Sequence, residues 1–386
     1  MTTIALGDAV GLTRLLVRHD SRNPALVSGA PGEGAVASAL AGTLREWGFA
    51  VDLVESSPGR PNVIARIGPS AGATLMLNGH LDTVGVEAMT HAPFDADERE
   101  GRLYGRGSAD MKGGVAAMCA AAARAAAAGA LRCAAIVTAV TDEEFESEGT
   151  RAIVASGLRA DAAIVTEPTR LAIAPAHRGF AWLELTVHGR AAHGSRYDIG
   201  VDAIRHAALV LAELDRFERD TLASRTHRLL GHASLHASTI EGGVGWSTYP
   251  DRCVVRIERR TLPGESADDA LAEVRDACDR VRAGGTELHA DVALQFSQGP
   301  SDVAEDAPVV RALAAAMEGA GETVRLEGLS AWTDAALLND AGIPAICYGP
   351  GDISLAHSAT EWVPVAEIER ATAVLDRLLR AWTGGR

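Results

Sequence analysis

Short apolar runs alternating with segments of helical periodicity constrain this chain most. Ala134–Val140 and Ala162–Thr166 read as buried strands, and Thr74–Leu77 is a third that leads into Asn78-Gly79-His80-Leu81-Asp82. Such strands, alternating with helices, argue for an α/β sheet covered on both faces. The helices are available. Ala5–Val17 is periodic and stops at the turn Ser21-Arg22-Asn23-Pro24, Gly34–Trp47 is closed by Gly48, and the Ala-rich Gly113–Ala128 is followed by Gly129. Val51–Glu55 and Asn62–Ile67 add further strands. The expected class is α/β.

From about His177 the texture changes. Ala181–Val187 alternates, Val201–Phe217 is helical, Cys253–Glu258 is strand-like, Asp268–Val281 is helical and Leu288–Gln295 alternates again. With one more strand between Phe217 and Cys253, this order suits a small ferredoxin-like α+β layer. After Pro300 the α/β pattern returns, with a helix over Pro308–Met317 and a strand over Ala345–Tyr348. The expected organisation is a first domain made of residues 1–176 and 300–386, interrupted by a second over 177–299.

The chain has 386 residues, enough for about two domains, and 47% are hydrophobic, so a large core is expected. Its formal net charge of −15 disfavours a nucleic-acid partner. Lys112 is the only lysine among many arginines, which reads as coding bias. Five cysteines, none in a C-x-x-C pair, argue against a disulfide framework or a thiolate metal site and fit a reducing cytoplasm. No signal peptide or membrane span is expected.

Several strand ends carry acids or histidines. His80 and Asp82 stand at i and i+2, so both point the same way, at the carboxyl end where α/β sheets collect ligands. Asp110 lies in the glycine-rich run Tyr104–Gly114, either as a plain helix cap or as a carboxylate bridging two cations. No phosphate-loop pattern is present there. Glu143 and Glu144 follow Ala134–Val140, where one could ligate metal while the other stays free as a base. Glu167 follows Ala162–Thr166, and His357 follows Gly349-Pro350-Gly351. Each alone suits a solvated loop. As a set, His80, Asp110, Glu144, Glu167 and His357 supply about what two divalent ions with nitrogen and oxygen ligands need, a donor mixture that suits zinc and its neighbours.

These motifs, in order, resemble the M20 metallopeptidases, the family of acetylornithine deacetylase, succinyl-diaminopimelate desuccinylase, aminoacylase and carboxypeptidase G. The resemblance rests on Gly79-His80-Leu81-Asp82, Gly105-Arg106-Gly107 through Asp110-Met111-Lys112-Gly113-Gly114, Asp142-Glu143-Glu144, Thr166-Glu167-Pro168 and Ala356-His357, and spans nearly the whole chain. It implies a di-zinc, aminopeptidase-like catalytic domain with an inserted lid or dimerisation domain. By that resemblance His80, Asp110 and Glu167 bind one metal, and His357, Asp110 and Glu144 the other. Asp82 orients His80, Glu143 is the general base, and the Asp110–Met111 peptide bond is cis.

The inserted segment resembles the family's lid as well. His193, in Gly189-Arg190-Ala191-Ala192-His193-Gly194, matches a histidine that completes the partner subunit's site. Arg260, in Glu258–Gly264, matches an arginine that approaches the substrate carboxylate, and Arg178 is a further candidate contact. Ser247 stands where many relatives carry Asn, and Ala331-Trp332-Thr333-Asp334 replaces the Gly-Thr-Ser-Asp of the desuccinylases, so Ser247, Trp332 and Thr333 are substrate-site positions that depart from that branch. Gly349-Pro350-Gly351-Asp352 looks more like the acetylornithine-deacetylase-like branch.

The expected function is metal-dependent hydrolysis of an amide bond in a small carboxylate-bearing substrate, foremost deacylation of an N-acyl amino acid. The expected cofactors are two divalent ions per chain, zinc with cobalt or manganese as alternatives. The expected assembly is a cytoplasmic homodimer joined through the lid, without nucleic-acid or membrane partners. A dipeptidase or carboxypeptidase using the same metals is the alternative. A non-catalytic binding protein on the same fold would be expected to have lost ligands or base.

Overall fold

The computed structural model describes residues 3–384. The chain opens with α1 (Ala9–Val17), whose first turn is capped by Asp8 accepting from Gly11 N, and α2 (Gly34–Glu46). Strands β1 (Ala50–Ser57), β2 (Arg60–Ile67) and β3 (Thr74–His80) follow, then α3 (Gly113–Ala127), β4 (Ala134–Val140), α4 (Glu148–Ala155), β5 (Ala162–Val165) and β6 (Ile173–His177). Next come β7 (Gly179–His188), α5 (Ala203–Asp220), β8 (Ser234–Gly242), β9 (Arg252–Thr261), α6 (Ala267–Ala283) and β10 (His289–Gln298). The chain ends with α7 (Pro308–Gly319), α8 (Ala335–Asp340), β11 (Ala345–Cys347) and α9 (Val365–Ala381). It divides into two compact units.

The first unit comprises the chain up to Pro175, Val303–Glu327 and Thr333 onward. Its sheet runs in the order β1-β2-β4-β3-β5-β11. Strands β4, β3, β5 and β11 are mutually parallel, pairing His80 with Val140, Asn78 with Val165 and Cys347 with Val165. Their carboxyl ends therefore lie along one edge of the sheet. Strands β1 and β2 add antiparallel at one side, so the sheet is mixed. Helix α3 is buried over almost its whole length and packs on α1, α9 and β3. Its alanines leave room for neighbours on every side. A Cβ at Gly114 would lie 1.9 Å from the Thr166 carbonyl, so only glycine lets α3 start this close to β5. Helix α9 was missed from sequence, although it is strongly amphipathic and buries Ile368, Leu375, Leu378 and Leu379.

The second unit comprises Ala176–Asp302 and Gly328–Trp332. It holds β7-α5-β8-β9-α6-β10 with the antiparallel strand order β8-β9-β7-β10, the split βαβ topology of ferredoxin-like folds. The inward residues Leu183, Leu185 and Val187 of β7 and Val255 and Ile257 of β9 pack with Ala207, Val210 and Leu214 of α5 and Val274 and Ala277 of α6. The missing strand between Phe217 and Cys253 is β8. Its outer residues are exposed, and Ile240 is the one large apolar side chain among them.

All five cysteines are free and buried. No helix among the described residues is long and apolar enough to cross a membrane.

Candidate metal centre

The parallel strands explain why the acids and histidines converge. His80 ends β3, Glu143 and Glu144 follow β4, Glu167 follows β5, and His357 follows β11 by way of a left-handed residue, its own φ being 59°. Asp110 comes from the tight turn Ser108–Lys112, entered through Gly107 at φ 79°. Its peptide bond to Met111 is cis. Asp110 caps no helix, since the regular turns of α3 begin only at Gly113.

Two groups of donor atoms result, each confined within 4.8 Å: His80, Asp110 and Glu167, and Asp110, Glu144 and His357. Asp110 belongs to both. Its Oδ1 faces His80 Nε2 at 3.1 Å and its Oδ2 faces His357 Nε2 at 3.5 Å. His357 Nε2 also lies 2.9 Å from Glu144 Oε2. Glu143 belongs to neither group, yet its Oε2 stands 3.9 Å from His80 Nε2. A carboxylate shared between two His/carboxylate sets, with one more carboxylate alongside, is a donor arrangement for two divalent cations plus a proton acceptor.

The electrostatics fit cations here. Burial, with repulsion from neighbouring acids, raises the carboxyl groups of Glu143 and Glu167 well above the usual range. Burial likewise lifts Asp82 to about 7 and Asp334 to about 6. Burial opposes protonation of His80, but the hydrogen bond to Asp110 and the charges of Glu143, Asp110 and Asp82 outweigh it and raise the imidazole well above its ordinary value. The contact with Glu144 lifts His357 to about 9. So many desolvated carboxylates in one place strongly favour positive charge, and the histidines offer the nitrogen donors that zinc-like ions prefer.

The surrounding hydrogen bonds fix the donors. His80 Nδ1 meets the main-chain carbonyl of Asp82 at 3.0 Å, whereas the Asp82 carboxylate stands 3.6 Å away. The carboxylate accepts instead from the main-chain N–H groups of Glu143 and Glu144, both at 3.1 Å. Glu361 accepts from the N–H groups of Ala109 and Asp110 at 3.0 and 3.1 Å, and Arg106 donates to its other oxygen at 2.6 Å. Sequence reasoning passed over Glu361, Asp334, Asn23 and Asp142 as functional positions. Asp142 and Asp334 lay within motifs already singled out, and Glu361 lies four residues beyond His357; Asn23 had only its place before a proline as a signal.

A family model of peptidase family M20/M25/M40 matches residues 76–381. The chain belongs to this family. It is 33% identical to acetylornithine deacetylase of Myxococcus xanthus, over 84% of this chain and 85% of that one. It is 29% identical to N-formyl-4-amino-5-aminomethyl-2-methylpyrimidine deformylase of Bacillus subtilis strain 168, over 90% and 89% of the two chains. Among solved structures, aminopeptidase PepT of Bacillus cereus ATCC 10987 shares its fold, with a TM-score of 0.80 at 20% identity over 98% of this chain and 99% of that one.

The other positions singled out by the M20 resemblance are divided between the two units. Thr333 is buried in the first unit, its hydroxyl 3.3 Å from Cys347 Sγ and accepting from Ala335 N. Neighbouring Asp334 accepts a 2.7 Å hydrogen bond from Thr150. In the second unit, His193 is exposed, with Nδ1 2.8 Å from Ser195 Oγ, and its backbone bridges to Thr248. Ser247 is exposed and its carbonyl accepts from Gly194 N. Arg260 is half-buried, donates to Glu258 and lies over the Phe180 ring. Arg178 donates to the Leu230 carbonyl, while burial and the nearby Arg260 charge lower its affinity for a proton. Trp332 is buried and donates to Gly299 O at 2.9 Å.

Proposed function

We propose that this M20 hydrolase is a dinuclear metalloenzyme that deacylates a small N-acyl amino acid. The observation that carries the reading is the division of Asp110's two oxygens between two His/carboxylate sets, with Glu143 alongside and in neither. His80, Asp110 and Glu167 would hold one divalent ion, and His357, Asp110 and Glu144 the other. Zinc suits these mixed donors, with cobalt or manganese able to replace it. Such ions supply Lewis acidity, which acidifies water and polarises an amide carbonyl.

The chain's own residues do the rest. Glu143, desolvated and anchored through its main-chain N–H, takes the proton of the attacking water and passes it to the departing amine nitrogen. His193 would stabilise the oxyanion in the partner subunit's site. Arg260 would meet the substrate carboxylate, with Arg178, Ser247, Trp332 and Thr333 as further substrate-site positions. The two relatives named above are a deacetylase and a deformylase, and Glu167 stands where many peptidases of the family carry Asp; both favour deacylation over peptide cleavage.

The second unit, 177–299 in the proposed division, would act as lid and dimerisation domain. A self-association surface is supported by the outer strand β8 with exposed Ile240, by exposed Val244 and Trp246 just beyond it, and by half-exposed Ile204 packing beside Gly243. The buried thiols suit a cytoplasmic setting.

The test combines metal analysis with a panel of acetyl, formyl and succinyl amino acids and dipeptides. Metal-dependent release of an acyl group supports the reading. Turnover confined to dipeptides moves the protein to the peptidase alternative, and bound metal without turnover of any amide sinks the hydrolase reading.

A further inference from the structure

Asn23 sits in the turn Ser21–Pro24 and is fully buried. Its amide nitrogen donates to Asp82 Oδ2 at 2.8 Å and to Asp142 Oδ1 at 3.0 Å, using both of its N–H groups. Its Oδ1 accepts from Ala25 N at 3.0 Å, and its own main-chain N–H donates to Thr83 O at 2.8 Å. The orientation of the amide is therefore determined, because the flipped form would aim an oxygen at two carboxylates and a nitrogen at an N–H.

Both carboxylates in turn grip one segment, residues 142–148. Asp82 accepts from the N–H groups of Glu143 and Glu144. Asp142, held in the left-handed region at φ 66°, accepts from Glu146 N at 3.2 Å and Glu148 N at 3.4 Å. Arg60 supplies the balancing charge, donating to Asp142 at 3.1 Å and to buried Glu33 at 2.8 and 2.6 Å. Glu33 accepts from Asp142 N as well. The loop is thus pinned at both ends, and Asn23 joins the two pins.

We infer that Asn23 is a positioning residue which sets where Glu143 and Glu144 stand. With the amide removed, two buried carboxylates face each other across the gap without their shared donor, and the loop between them shifts. The consequence is selective. Glu143 and Glu144 are carried on the pinned segment, whereas Asp110, Glu167 and His357 stand on other segments and His80 is held by the Asp82 main-chain carbonyl, not by the carboxylate that Asn23 meets. Loss of Asn23 should therefore disturb proton transfer and the metal position that includes Glu144, and spare the position made by His80, Asp110 and Glu167. The inference rests on the functional reading above.

Asn23→Ala, which removes both donors, and Asn23→Ser, which leaves one hydroxyl donor, test it. Each metal-loaded variant is dialysed against a graded chelator series and the ions retained are counted, alongside kcat, KM and thermal midpoint. Asn23→Ala should release one ion per chain at about tenfold lower chelator than wild type, with the second ion retained normally. Its kcat should fall roughly 10–100-fold while KM stays within about twofold, and Asn23→Ser should lie between. A role in folding alone would lower the thermal midpoint and leave both ions and kcat unchanged. That result, or equal weakening of both ions, overturns the inference; should Asn23→Ala not fold, Asn23→Ser decides on the same criteria. The underlying reading fails separately. Full activity of Glu143→Ala sinks the base assignment whatever Asn23 does, whereas inactive Glu143→Ala beside wild-type-like Asn23→Ala sinks this inference alone.

Discussion

Glu361 accepts the main-chain N–H of Asp110 at 3.1 Å, although the two residues are 251 positions apart in the chain. The contact ties the turn bearing the shared carboxylate to the segment bearing His357. Glu361 is itself buried and paired with Arg106, which is 3% exposed and whose side chain also donates to the Gly85 carbonyl. Removing one partner of a buried pair leaves the other charge uncompensated. Glu361→Ala should therefore cost about 3–5 kcal/mol in urea unfolding, and Glu361→Gln, which keeps an acceptor for the two N–H groups, should cost less. A loss below about 1 kcal/mol for Glu361→Ala would show that water or a rearranged Arg106 replaces the contact.

The roles assigned to Asp110 and Glu143 separate cleanly. Asp110→Ala removes the one donor common to both sets, so bound metal should fall well below two ions per chain. Glu143→Ala should keep both ions and lose at least about a hundredfold in rate, the scale of a general base. Metal analysis of the two purified variants, with kcat for the second, decides. Two ions in Asp110→Ala argue against bridging, and near-normal turnover in Glu143→Ala argues against the base.

Much of this arrangement was legible in the sequence because strand ends are local signals. An apolar run followed by His or Glu both predicts the strand and places the side chain at its carboxyl end, as with His80 and Glu167. What closes the centre is not local. Asn23 meets Asp82 and Asp142 from 59 and 119 residues away, and Glu361 meets Asp110 from 251 residues away. Nothing in the residues around Asn23 distinguishes a buttress from the plain turn that Ser21-Arg22-Asn23-Pro24 suggests. The expectation that Asp82 orients His80 was incomplete for a similar reason. Spacing shows that two residues share a face of a strand but not that the main-chain carbonyl takes the histidine while the carboxylate is occupied elsewhere. Helix α9 is the exception, since its apolar spacing, with Ile368, Leu375, Leu378 and Leu379 buried, is a local signal.

His177 gives the second unit a pH dependence. Its ring is 2% exposed, packs edge-on near Trp332 at 6.3 Å, and its Nε2 has no hydrogen-bond partner among the described residues. Burial lowers its pKa to about 4. Between about pH 6.5 and 4 the unfolded chain binds a proton at this site and the folded chain does not, so stability falls as the medium is acidified. Above that window the contribution is fully present, and a gap of this size corresponds to roughly 3 kcal/mol. His177→Phe, which keeps a ring against Trp332, should lose less stability than wild type between pH 6.5 and 4 in denaturant titrations. Parallel pH profiles for the two proteins would show that the histidine titrates normally in the folded state.

His193 offers the sharpest test of a shared active site. In this structure it is exposed on the second unit, its ring beside the Ser195 hydroxyl and its backbone bridged to Thr248, and by itself it looks like an ordinary loop histidine. If it completes the site of a partner subunit, His193→Ala should bind two metal ions, dimerise normally and turn over slowly. Glu143→Ala should be inactive for the separate reason given above. A heterodimer of the two variants then contains one site with Glu143 intact and an intact His193 contributed by the other chain. Mixing two nearly inactive proteins should restore activity as subunits exchange, toward half the wild-type rate per heterodimer, because one of its two sites is whole. The exchange must be followed independently, by differently tagged chains recovered together. Heterodimers that stay inactive, or full activity of His193→Ala alone, would remove His193 from the chemistry.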